Sequence, residues 1–157
     1  MKVPIECPKF RAYLQEIIPA AFGADGLMNI QHERVKKRQS LRIYRRGVSS
    51  LAGIEHLGKL RWLDVDYNPE IKHLPRLPNT LNSFYSNHKF DTSVQPVFFY
   101  RMWNYLLLDN GRVLHGSTMW DSLDDFKASV AERVDVDKFS QFIAECEQYL
   151  KKINHVQ

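Results

Sequence analysis

The chain has 157 residues, the size of one domain that buries roughly two thirds of the surface its unfolded form exposes. Apolar residues make up 44% of it and aromatics 12%, which excludes a disordered chain, since such chains lack the apolar surface needed to offset ordering entropy. The formal net charge is +4, no apolar run approaches the roughly 20 residues that span a bilayer, and the longest candidate, 97–108, contains Arg101 and Asn104.

The start, "MKVPIECPKF", has no uninterrupted apolar stretch of the signal-peptide kind, so a cytoplasmic location is expected, with secretion by a route that reads no such peptide left open. The next segment, "CPKFRAYLQEIIPAAFG", sets Phe10, Leu14, Ile17 and Ala21 on one helical face. Pro8 suits the first turn, and Pro19 bends or ends the helix. Cys7 and Cys146 are the only cysteines, lie in no metal-ligand spacing, and are expected to be buried thiols. The run "ERVKKRQSLRIYRR" at 33–46 then holds seven of the 22 basic residues. It is either a solvated face or an edge that attracts an anionic partner.

From Leu60 the residues Leu60, Leu63, Val65, Asn68, Ile71, Leu74 and Leu77 follow the pattern L-x-x-L-x-L-x-x-N-x-x-I. Leu81, Phe84 and Ser86 echo it 21 residues later. Leu41 and Ile43 precede Leu63 and Val65 by 22, and Leu51 and Ile54 answer to Leu74 and Leu77. In each unit the L-x-L stretch makes a strand with alternate side chains inward, and the later leucines return over that core. One coil cannot cover its own leucines, so three must stack, with Leu41, Leu63 and Phe84 above one another. Asn68 is expected to turn its amide inward onto backbone groups exposed by the bend.

"SLAGIEHLGKLRWLDVDYNPEI" resembles the 22-residue leucine-rich repeats of bacterial internalin-type proteins, and "LPRLPNTLNSFYSNHK" resembles the shorter effector-type repeat of the YopM and IpaH families. The resemblance spans residues 41–89 and implies binding of a protein partner. The chain departs from it in its few repeats, in Ser86 at an apolar position and in Lys89 where Asn is usual, and it has no room for a ligase domain.

Downstream, "QPVFFYRMWNYLLLDNGRVLHG" is apolar on nearly every side up to Asp109-Asn110-Gly111. It is read as a buried helix from about 96 to 106, with a hairpin around Asn110-Gly111 as the alternative. Two helices follow. The first carries Leu123, Phe126, Val130 and Val134, with Asp124 and Asp125 in its first turn. The second carries Phe139, Phe142, Ile143, Cys146, Leu150 and Ile153, capped by Asp135 or Asp137. The expected fold is therefore α/β: a short leucine-rich-repeat solenoid with a small parallel sheet at 39–94, an N-terminal helical cap within 1–38 and a C-terminal helical subdomain over 95–157, all one compact unit.

The histidines show no HExxH spacing, no G-x-S-x-G elbow occurs, and Asp64 and Asp66 alternate with inward residues. No catalytic residues, metal or cofactor are assigned. The exposed positions of in-register strands form three rows: Arg42, Asp64 and Tyr85; Tyr44, Asp66 and Asn87; Arg45, Tyr67 and His88. Tyrosines and arginines are the types that carry energy at protein interfaces. The expected function is non-catalytic binding of another protein through this face, effector- or inhibitor-like, with Trp62 at the strand edge as core or rim. The alternative is nucleic-acid binding through Arg34, Lys36, Lys37, Arg38 and Arg46, together with Arg42 and Arg45.

Overall fold

The computed structural model describes residues 1–155. In chain order the strands are β1 (Lys2–Val3), β2 (Met28–Asn29), β3 (Ser40–Arg42), β4 (Trp62–Asp64), β5 (His73–Leu74), β6 (Ser83–Tyr85), β7 (Thr92–Ser93), β8 (Val97–Tyr100), β9 (Trp103–Leu107), β10 (Val113–His115) and β11 (Thr118–Trp120). The α-helices are α1 (Pro8–Ile17), α2 (Glu33–Lys36), α3 (Leu123–Ala131) and α4 (Ser140–His155).

The three coils pair as their spacing demands. Strands β3, β4 and β6 form a parallel sheet with Leu41 beside Leu63 and Leu63 beside Phe84. All three side chains are buried, as are Ile43, Val65 and the returning Leu51, Ile54, Leu74 and Leu77. On the back of the coils β5 and β7 make a second parallel pair. Asn68 holds the bend: its Nδ2 donates to the carbonyls of Ile43 (2.6 Å), Val65 (3.0 Å) and Asp66 (3.1 Å). Its Oδ1 accepts from the amides of Arg46 (3.1 Å) and Val48 (3.0 Å). One side chain thus joins two consecutive coils.

At the β3 edge, α1 starts with Pro8 at its first position and stops before Pro19, where a 3-10 turn over Pro19–Ala21 follows. It buries Phe10, Tyr13 and Leu14, and the Tyr13 hydroxyl accepts the edge amide of Arg42 at 2.7 Å. That removes a free pairing site from the sheet edge.

The short leucine-rich-repeat α/β solenoid expected from the sequence is not the fold that forms: β3, β4 and β6 are one three-stranded sheet among four small sheets in the described residues. Among the described residues the largest sheet is four-stranded and antiparallel, in the order β11-β10-β9-β8, and the fold is a β-rich assembly of mixed small sheets with four α-helices. The segment read as a buried helix at 96–106 is the β8–β9 hairpin, and the alternative hairpin around Asn110-Gly111 joins β9 to β10. The physical reason lies in β9 and β10, which are buried on both faces. Leu106, Leu108 and Leu114 join the core of the coils, while Tyr105, Leu107 and Val113 face a second core with Phe126, Phe139, Phe142 and Cys146. A strand covered on both sides loses its alternation and reads as a continuous apolar run.

The antiparallel sheet also closes the open end of the coils. The amide of Phe84 donates to the carbonyl of Gly116 (3.0 Å), and Asn104 donates to the carbonyls of Ser86 (3.2 Å) and His88 (2.8 Å). The expected helical subdomain is therefore a sheet with two helices packed on its outer face. In α3 the cap is Ser122, whose hydroxyl accepts the Asp125 amide at 3.1 Å, and the helix ends at Ala131, so Val134 lies outside it and is fully exposed. Neither expected acid caps α4, which begins at Ser140; Asp135 instead binds Arg133 and the Tyr100 hydroxyl. Both cysteines are free and buried. Among the described residues no helix is long and apolar enough to cross a membrane.

Candidate functional site

Each coil brings one short strand to the surface with its middle residue inward, so Arg42, Asp64 and Tyr85 stand in register on the outer side. Arg42 is exposed and Asp64 half-buried. They form no ion pair with each other; Asp64 Oδ1 accepts the Asp66 amide at 2.9 Å. Tyr85 packs at 5.0 Å from the Trp62 ring and at 6.0 Å from Trp103. Trp62 is thus rim, half-buried at the start of β4. Tyr85 also lies against the turn between β10 and β11, where Gly116 has φ +59° and an added Cβ would stand 3.3 Å from the tyrosine ring. The tyrosine hydroxyl is bonded to Ser117.

The second expected row breaks. Tyr44 is 45% exposed and Asn87 half-buried, but Asp66 is only 7% exposed, so it is interior and not a surface contact. Alternation holds inside a strand, and β4 ends at Asp64; the following bend tucks Asp66 under the surface. Burial, and then the neighbouring Asp64, push its carboxyl up to about 6, and its Oδ1 has no hydrogen-bond partner.

In the third row Arg45 and Tyr67 share a left-handed conformation, with φ of 51° and 61°, which throws both side chains outward at the same place in consecutive coils. The Tyr44 and Tyr67 rings meet edge-on at 5.1 Å, and the Arg45 guanidinium lies 5.1 Å from the Tyr67 ring centre and 5.7 Å from that of Tyr44. The amide of Tyr67 donates to Asn87 Oδ1 at 3.0 Å. His88 leaves the row: its Nε2 is 2.8 Å from the Ile71 carbonyl and its ring rests on Phe90. The face therefore consists of two aromatic groups, Tyr44 with Tyr67 and Trp62 with Tyr85 and Trp103, with Arg42 and Asp64 between them. Trp103 escaped the sequence reading because its segment reads as a helix; it is the exposed first residue of β9, whose other four residues are buried.

The basic run divides. Arg34, Lys37 and Arg38 line a surface hollow of about 400 Å³ together with Glu33. Lys37 is paired with Glu33, and Arg38 donates to the Ser40 carbonyl at 2.7 Å. Lys36 is exposed on α2 but does not line that hollow. Arg46 pairs with Glu16 at 2.8 Å and lies 5.1 Å from the Tyr13 ring centre. The paired arginine and lysine hold the Glu16 and Glu33 carboxyls below their ordinary range. The seven cations thus do not form one continuous phosphate track.

Among the described residues no three His, Cys, Asp or Glu side chains are grouped to hold a metal ion. A scan against protein-family models finds no match to the chain, and neither do searches of curated proteins and of solved structures.

Proposed function

We propose that the chain is a non-catalytic protein-binding module that engages another protein through the outer face of the parallel sheet. The reading is carried by the juxtaposition of Tyr44, Tyr67 and stacked Arg45 with Trp62, Tyr85 and Trp103, around an Arg42 and an Asp64 that do not neutralise each other. Aromatic rings held by their neighbours lose little entropy on docking, and Tyr, Trp and Arg dominate interface energetics. The backbone beneath them is fixed by the Asn68 bonds and the strand ladder, so the surface is presented preformed.

The test is a Tyr44→Ala/Tyr67→Ala double variant. Both side chains are nearly half exposed and outside the core, so the variant folds. Immobilised wild-type protein retains a partner from the native cell that the variant retains at least tenfold more weakly. Equal retention of every captured species by the two proteins rules the face out.

A further inference from the structure

The side of the antiparallel sheet that faces α3 and α4 is not covered along its whole length. Strand alternation and register place Phe98, Tyr100, Trp103, Tyr105, His115 and Trp120 on this one face. The helices pack on part of it, with Phe142 stacked on Phe98 at 5.8 Å and Phe126 against Tyr105 at 5.7 Å. Toward the β8–β9 turn the face stays open as a cleft of about 360 Å³, walled on one side by Arg133. That volume falls in the range of about 300–1,000 Å³ usual for small-ligand sites.

The lining has a consistent chemistry. It contains two arginines and no carboxylate. Arg133 donates through Nε and Nη2 to Asp135, both at 2.8 Å, and through Nη1 to the Tyr105 hydroxyl at 3.4 Å; Asp135, just behind the lining, also accepts from Tyr100, and the Arg133 side chain stays 36% exposed toward the cleft. Arg101 lies 5.3 Å from the Tyr100 ring centre and makes no ion pair among the described residues. The flat walls are aromatic, and the sheet already stacks rings here: Tyr105 and His115 lie 3.9 Å apart at an interplanar angle of 2°. Burial, and then the charge of Arg133, lower the His115 pKa, so its imidazole is neutral at pH 7 and offers one donor and one acceptor. The hydroxyl of exposed Thr118 adds a second such group beside it. Arginine with aromatic faces and edge-reading polar groups is the combination that stacks a base and holds its phosphate.

We propose that this cleft binds a nucleoside phosphate, its base stacked on the indoles of Trp103 and Trp120 and edged by His115 and Thr118, its phosphate held by Arg101 and Arg133. The chemistry is shared by a free nucleotide and by one nucleotide of a single strand. The site is separate from the basic run at 33–46 and does not depend on the protein-binding face, which it meets only at Trp103.

The turn supplies a discriminating variant. Arg101 occupies the first place of a two-residue hairpin turn with φ +64°, a position that glycine adopts without strain. Arg101→Gly removes the cation and leaves the fold as stable or more stable, read by thermal melting. Adenosine 5′-monophosphate and uridine 5′-monophosphate are titrated into wild-type protein, followed by tryptophan fluorescence and by amide shifts of residues 100–120. Ribose 5-phosphate and adenosine serve as the two halves, and a five-nucleotide single strand as the longer source. The expected result is saturable binding of the monophosphates, at least tenfold weaker for either half and at least tenfold weaker in Arg101→Gly and in Trp120→Ala. A strand bound 100-fold more tightly than the monophosphates, and lost in the same variants, assigns the source to nucleic acid; similar affinities assign it to free nucleotide. Absence of shifts at millimolar ligand, shifts confined to residues 33–46, or binding unchanged by Arg101→Gly overturns the proposal.

Discussion

Asn68 and Asp66 stand two residues apart and are both buried, yet the backbone receives them differently. Asn68 has donors and an acceptor on one planar amide and uses both ends, so its burial is compensated by five hydrogen bonds. Asp66 offers only acceptors at neutral pH, and one of its oxygens is left unpaired. Its carboxyl titrates at about 6 in the folded chain against the ordinary aspartate value of 3.8. The folded state therefore holds this proton more firmly than the unfolded state between about pH 4 and pH 6. Any contribution Asp66 makes is present below about pH 4 and is lost as pH rises through 6, on the order of 2 kcal/mol. Asp66→Asn removes that dependence. In urea denaturation the variant gains on wild type as pH is raised from 4 to 7, and parallel curves over that window would show that Asp66 is not perturbed. The row arithmetic that put Asp66 on the surface applied strand alternation past the strand's end. No pattern of residue types in "DVDYN" marks where the strand stops, because that is set by the left-handed Tyr67 and the pull of Asn68.

At the scale of elements, each coil needs a tight reversal on its back, and Gly53 supplies the one that precedes the 3-10 turn Ile54–His56. It adopts φ +105°, and a Cβ there would lie 2.6 Å from Ile5 Cδ1, so the reversal and the seat of the N-terminal segment depend on the same missing atom. Gly53→Ala is expected to cost about 2 kcal/mol, from left-handed strain and the displaced isoleucine. Gly58→Ala, with no atom within 4 Å and no positive φ, is expected to be neutral or slightly stabilising through a restricted unfolded chain. Equal losses in the two variants would contradict this account in chemical denaturation. Helices α1, α3 and α4 were legible from their apolar spacing, helped by Pro8 in α1 and the first-turn Asp124 and Asp125 in α3, because each packs one face and leaves the other wet; the aspartate cap expected for α4 did not form. The β8–β9–β10 segment was not legible, because β9 and β10 are covered on both faces along most of their length, and that erases the alternation.

At the scale of the whole molecule, β9 and β10 are the wall between two cores. Alternate residues of these strands belong to the coil core and to the aromatic core under α3 and α4, so neither core has a boundary of its own there. Phe142→Ala is expected to cost about 3–5 kcal/mol by opening a cavity among Phe98, Phe126 and Tyr105. Because the wall is shared, amide protection against hydrogen exchange falls in Leu63 and Val65 of the coils as well as in α4. Protection retained at the wild-type level in the coils while α4 exchanges freely would mean two independent folding units.

The sequence by itself determined the register of the three parallel strands, the inward amide of Asn68 and the helices at both ends of the chain. The helices follow from the spacing of a helical turn and the strand register from the 21- and 22-residue offsets between like segments, all written along the chain. Only the tertiary structure decided the antiparallel sheet, the interior place of Asp66 and the meeting of Trp103 with Tyr85. Each depends on which distant segment covers a surface, and a side chain's apolar character records that it is covered without recording by what.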